Sequence, residues 1–229
     1  MTINQMLAKA EEIASLGCPF CGNPVYRLII NDKEGISFEC RDESCPSRGA
    51  RLPLDVARKF SLKKKYAEMH QRLFKIRNDL KRLWDEEWPN RNTIRSYKQG
   101  YLKKIGDTAA KCRDAYISVR DFRLFDRAGN KVLSHDNPMK VRIPTTGDVF
   151  EVYSINTRRK AKKALLIEWE LAKRKLKEAV EELTVARNSV RAIMTDIRSL
   201  QTESDAILSD EGFVKARNMA LKGFKKWKN

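Results

Sequence analysis

Long apolar runs are missing from this sequence. No stretch approaches the ~18 consecutive apolar residues that a membrane-spanning helix needs. Glycine and proline are sparse, at 10 and 7 of 229 residues, which excludes collagen-like and low-complexity chains. Histidine occurs only as His70 and His135, so imidazole-based catalysis or metal binding has few candidates. A Gly-x-x-x-x-Gly-Lys-Ser/Thr phosphate loop, a Gly-x-Ser-x-Gly elbow and a dinucleotide-binding fingerprint are all absent. The opening residues MTINQMLAKAEEIASLG carry neither the basic start, the apolar run nor the cleavage site of a secretory signal. A cytoplasmic, intracellular chain with no integral membrane segment is therefore expected.

What is plentiful is positive charge. Forty-seven Lys and Arg face 30 Asp and Glu, a formal net charge of +17. The excess is unevenly placed. Residues 1–54 hold 6 basic and 7 acidic side chains, residues 55–130 hold 20 and 10, and residues 131–229 hold 21 and 13. A polyanionic partner is implied, and the first fifty residues are not where it would be gripped.

Five cysteines are too few for a disulfide scaffold, yet four of them are clustered. Cys18, Cys21, Cys40 and Cys45 form a C-x2-C-x18-C-x4-C pattern. A tetrahedral zinc ion takes thiolates at about 2.3 Å, and a tight turn such as Cys18-Pro19-Phe20-Cys21-Gly22 aims two sulfurs at one point. Gly22 suits the positive φ that ends such turns. Between the pairs, VYRLII and ISFEC read as strands joined by the polar turn Asn31-Asp32-Lys33-Glu34-Gly35. Two strands and two knuckles predict a zinc ribbon holding one structural Zn2+. Four thiolates leave no open coordination position, which argues against metal catalysis. Thiolates and ion together add −2, so a loaded chain would carry about +15, all of it beyond the ribbon.

The segments CPFCGNPV and FECRDESCPSRG resemble the four-cysteine finger of bacterial NAD-dependent DNA ligases and, more loosely, the zinc ribbons of type I topoisomerases and small phage restriction-alleviation proteins. The resemblance spans residues 17–49. It implies zinc ligation by Cys18, Cys21, Cys40 and Cys45, a module that contacts DNA or holds a domain beside it, and a bacterial or phage origin. It does not extend to ligase activity, since no Lys-x-Asp-Gly nucleotidyl-transfer motif is present. Ser134-His135-Asp136-Asn137-Pro138 is faintly similar to the histidine segment of HNH nucleases, but that family's second histidine is missing. No catalytic residue is assigned, and the chain is expected not to be an enzyme.

Beyond the cysteines the pattern turns helical. Leu62, Tyr66, Met69, Leu73, Ile76, Leu80 and Leu83 recur at alternating spacings of four and three, predicting a helix over about 55–88 that stops at Trp88-Pro89-Asn90. His70 falls beside that stripe, as a flank residue. Leu165, Trp169, Ala172, Leu176, Ala179, Leu183, Ala186, Val190, Ile193, Ile197 and Leu200 continue the same rhythm over about five heptads. These stripes predict a coiled coil, within one chain or across a homodimer. Ile94, Tyr97, Tyr101, Ile105, Ala109, Cys112 and Tyr116 suggest a third amphipathic helix with Cys112 a buried thiol; Tyr97, Tyr101 and Trp227 could stack on bases, but their helical spacing favours core or seam roles. FRLFDRAGNKVLS and KVRIPTTGDVFEVYS read as small hairpins.

The fold expected is mainly α with small β parts: a zinc ribbon (1–54), a first coiled-coil helix (55–90), a helical and β-hairpin tip (91–155), a second coiled-coil helix (156–202) and a basic amphipathic tail (203–229). The tail spaces Phe213, Ala216, Ala220, Phe224 and Trp227 along one side. It can lie on phosphates, lie on a membrane surface, or pack its aromatics on the body. Candidate phosphate contacts are Lys63, Lys64, Lys65, Arg158, Arg159, Lys160, Lys162, Lys163, Lys225 and Lys226. Two functions follow. One is sequence-independent binding of nucleic acid, DNA more than RNA, through basic helices. The other is a protein-interaction factor acting on RNA polymerase or another large nucleic-acid machine, since a zinc module joined to a helical hairpin resembles in outline the secondary-channel factors of RNA polymerase.

Overall fold

The computed structural model describes residues 2–31 and 35–228. It is mainly helical with small antiparallel sheets. Two compact units emerge, one made of Met1–Glu87 with Ile193–Asn229 and the other of Trp88–Ala192.

The first unit begins with a helix that the sequence reading did not anticipate, α1 (Ile3–Ser15). Its start is a capping box: Thr2 accepts from the Gln5 backbone N–H while the Gln5 side chain accepts from the Thr2 N–H, satisfying two orphan donors at once. Ala10 and Ile13 are the positions it buries. The ribbon follows as expected, with β1 (Arg27–Asn31) and β2 (Gly35–Glu39) antiparallel and Leu28 opposite Phe38. Of the expected turn between them, residues 32–34 lie outside the described residues. A short β3 (Leu52–Pro53) adds to β2, placing fully buried Leu52 opposite Phe38.

Instead of one helix from residue 55, two occur: α2 (Leu54–Phe60) and α3 (Lys64–Arg82). Ser61 breaks the helix at ψ 134° and turns its hydroxyl back to the Arg58 carbonyl, a local bond that competes with helix propagation. Leu62, the first residue of the expected stripe, is buried within this break.

The expected stop at Pro89 is also corrected. Residues Leu83–Glu87 form a π-helical turn and α4 (Trp88–Asp121) starts directly after it. A widened turn leaves room for the proline ring, and the ring nitrogen has no N–H to lose at a helix start.

In the second unit α4 lies antiparallel to the first part of α5 (Ile155–Leu208). Lys98 bonds Glu182, Tyr116 meets Trp169 at 5.6 Å, and the Arg158 guanidinium donates to the carbonyls of Val119 and Arg120. Every position of the long stripe from Leu165 to Leu200 is buried or half-buried. Between the helices, β4 (Met139–Arg142) and β5 (Val149–Val152) form a hairpin through the Thr-Gly-Asp turn. The other anticipated hairpin shrinks to a single bridge between Phe125 and Lys131. Asp126 holds its turn by accepting from the backbone N–H groups of Ala128 and Asn130. Val119, Leu124, Leu133, Val141, Ile143, Val152, Ala161 and Leu165 make one core there.

The final helix, α6 (Glu211–Lys228), returns to the first unit. Asp210 caps it by accepting from the Phe213 N–H at 2.8 Å. Ala220 and Phe224 of α6 share a core with Phe20, Phe38, Leu52, Ala57 and Ala67. Its Phe213 and Phe224 pack on the body, while Trp227 is 41% exposed. Among the described residues, no helix is long and apolar enough to cross a membrane.

Candidate metal centre and basic surfaces

Two turns of different make bring the four sulfurs together. In the first, Gly22 donates to the Cys18 carbonyl and Cys18 to the Asn23 carbonyl, closing the knuckle. Gly22 takes φ 83° there, as its place in the sequence demands. In the second, Asp42 accepts from the Ser44 N–H, Cys45 donates to the Asp42 carbonyl and Arg48 to the Cys45 carbonyl. The result is four buried cysteines whose sulfurs all lie within 4.8 Å of one another. Cys18 and Cys45, and likewise Cys21 and Cys40, stand 3.6 Å apart, and none is in a disulfide.

These residues could hold one metal ion. A tetrahedral ion with ~2.3 Å bonds to sulfur requires edges of about 3.8 Å, close to the paired separations here. Cys18 is pushed up by its contacts to Cys21, Cys40 and Cys45 and by burial, while Cys45 is held down, first by Cys18. A central dication would stabilise thiolate on all four. Further polar groups surround the sulfurs: the Asn23 N–H donates to Cys21 Sγ at 3.5 Å, and the buried Ser47 hydroxyl lies 3.1 Å from Cys45 Sγ and 3.9 Å from Cys18 Sγ. Such contacts orient ligands and temper their charge.

The cluster's apolar support was not legible beforehand. Phe20, inside the first knuckle, packs on Phe60 of α2 at 5.8 Å and on Phe224 of α6 at 4.7 Å. His70 is corrected from a flank residue to a core residue, 1% exposed, edge-on to Phe213 at 5.6 Å. Neither of its ring nitrogens has a hydrogen-bond partner among the described residues. Burial, then the charges of Arg217 and Arg77, press its pKa down to about 4. The only signal in the sequence was proximity to the heptad stripe, which cannot tell a flank from a core position one residue away.

The ten candidate cationic residues fall into different environments. Lys63 and Lys64, with Lys9 and Arg58, line an open cleft of about 620 Å³ that also includes Glu12 and Glu68. Lys65 pairs with Asp210 at 3.5 Å. Arg158 is occupied in capping the end of α4, and Lys162 is half-buried over the Tyr116 ring at 6.0 Å. Arg159, Lys160 and Lys163 are exposed on α5, and Lys225 and Lys226 on α6. Lys225 and Lys228 border a recess with Pro46, next to Cys45 in sequence. Cys112 is fully buried and its thiol is pushed up by that burial. His135 is exposed, edge-on to Tyr153 at 5.1 Å.

No protein-family model matches this chain, and neither the curated proteins nor the solved structures contain a match to it. The fold and the cysteine cluster therefore define only a class: a mainly helical protein with a candidate metal centre near its N-terminus.

Proposed function

We propose that the chain is a non-enzymatic, zinc-stabilised protein that binds nucleic acid, DNA above RNA, through largely sequence-independent phosphate contacts. Zn2+ is the metal of choice because four thiolates in a closed tetrahedral set suit it and offer no catalytic position. One observation carries the rest. Helix α6 buries Phe213, Ala220 and Phe224 and turns Lys215, Lys222, Lys225, Lys226 and Lys228 outward, with Glu211 its only acidic residue. The resemblance of residues 17–49 to ligase and topoisomerase fingers agrees with this. A cationic face of this kind displaces condensed counterions from a phosphate backbone, so affinity falls steeply with salt and little with sequence. The test is a salt series with unrelated duplex and single-stranded probes. Tight binding at about 50 mM salt that weakens log-linearly is expected, and no binding there, or binding indifferent to salt, refutes the reading.

A second reading, a factor that acts on RNA polymerase or another large machine, draws support from the antiparallel α4–α5 pair with a β-bearing segment between its helices. Retention of the polymerase from nuclease-treated lysate would favour it.

A further inference from the structure

On α4 the polarity of the helix is inverted over two turns. Lys98 reaches Glu182 of α5 and Arg95 is half-buried, whereas Ile94, Tyr97 and Tyr101 are 48%, 69% and 42% exposed. The anticipated stripe is thus correct from Ile105 onward, where Ala109 and Cys112 are buried, and turned outward before it. Burying the two tyrosines and exposing the two cations is what simple amphipathic packing would favour. The departure leaves Ile94, Tyr97 and Tyr101 together on the exposed side of α4.

The two rings are arranged, not scattered. Tyr97 and Tyr101 stand one helical turn apart with planes 5° from parallel and centroids 6.4 Å apart. That separation is close to two steps of the ~3.4 Å rise of stacked bases. The stretch of α4 that carries them has one sign of charge: residues 89–106 contain Arg91, Arg95, Lys98, Lys103 and Lys104 and no Asp or Glu, with Lys98 taken up by Glu182 of α5. Arg91, Lys103 and Lys104 are exposed and in no ion pair among the described residues. One turn before Tyr97, Ile94 joins Arg91, Val185 and Ala186 in a shallow, mostly apolar recess of about 300 Å³.

We infer that Tyr97 and Tyr101 form a stacking platform for unpaired bases of a single-stranded nucleic acid, with Arg91, Lys103 and Lys104 tracking its phosphates. This rests on the nucleic-acid reading above and narrows it. Aromatic faces take any base, because every base has a π-face, and lysines beside them supply the backbone term. Duplex DNA, whose bases are already stacked and enclosed, would gain from the lysines alone.

The experiment measures fluorescence anisotropy of labelled oligothymidylate and of a duplex of equal length, at about 50 mM salt, with the full chain and with Tyr97→Leu/Tyr101→Leu and Tyr97→Phe/Tyr101→Phe. The leucine pair should weaken single-strand binding about tenfold or more, from the ~1–3 kcal/mol that each stacked base contributes, and leave duplex affinity within about twofold. The phenylalanine pair should match the parent, because stacking needs the ring and not the hydroxyl. Both rings are exposed, so neither change should alter the fold, which circular dichroism checks. Equal loss on both probes, or no loss, overturns the platform while leaving phosphate binding standing. Failure of the parent chain to bind either probe overturns both. A parent that sediments as a dimer and dissociates on the leucine changes assigns the face to a second copy instead.

Discussion

Phe20 and Phe224 meet at 4.7 Å, so the knuckle that carries Cys18 and Cys21 is braced by a helix two hundred residues further along the chain. The metal centre and the basic α6 are in this way parts of one core. Phe224→Ala should cost about 3–5 kcal/mol, the usual range for emptying a buried phenylalanine site. The same change should accelerate metal loss to a chelator, because the knuckle loses its backing. Chemical denaturation and a zinc-release assay read the two effects, and stability loss with unaltered release would separate helix from knuckle.

Removing the second pair of ligands tests the ion itself. Cys40→Ser/Cys45→Ser leaves two thiols, too few for a closed site, and should abolish stoichiometric zinc measured by atomic absorption. Because such sites couple binding to folding, proteolysis should then cut within residues 18–52. An unchanged metal content would disprove the assignment.

At Gly22 two constraints coincide. Its φ is 83°, and an added Cβ would overlap the carbonyl of His70. An L side chain in that conformation costs ~1–2 kcal/mol before any clash, so Gly22→Ala should destabilise by at least about 2 kcal/mol and weaken zinc retention. Gly49 also has positive φ, at 74°, but meets nothing within 4 Å, so Gly49→Ala should lose only the conformational part. Thermal unfolding of the two variants side by side distinguishes strain from collision.

The burial of His70 makes stability depend on pH. Its pKa is about 4 in the fold and 6.5 when free, so the unfolded chain binds the extra proton first. The stability conferred by keeping the ring neutral is complete above about pH 6.5 and is lost as pH falls toward 4. At 1.36 kcal/mol per unit this amounts to about 3 kcal/mol. His70→Met, which keeps the volume and removes the titration, should flatten that part of the profile. Equal slopes for the two proteins between pH 6.5 and 4 would show that the histidine is reached by water or paired.

By contrast Arg72 and Glu203, joined at 2.5 and 2.6 Å but each about 40% exposed, should matter little. Exposed pairs contribute ~0–1 kcal/mol. Glu203→Gln should stay within that range in urea unfolding.

The cysteine spacing, the hairpin between the pairs, the positive φ at Gly22 and the long stripe from Leu165 to Leu200 were all determined by sequence alone. Each is local: knuckles, turns and heptads depend on residues a few positions apart, whose geometry is the same in any surroundings. The helix break at Ser61 and the π-turn before Pro89 were less legible, because both depend on small competing bonds against a strong heptad signal. The fate of α6, the burial of His70 and the outward turn of Tyr97 and Tyr101 were decided by tertiary structure. Amphipathic spacing names two faces of a helix but not which one finds a partner, and a rotation of one residue, about 100°, exchanges core for solvent. For Phe224 the deciding neighbour is Phe20, and no periodicity links residues so far apart. For Tyr97 it is Glu182, which draws Lys98 inward and leaves the rings outside.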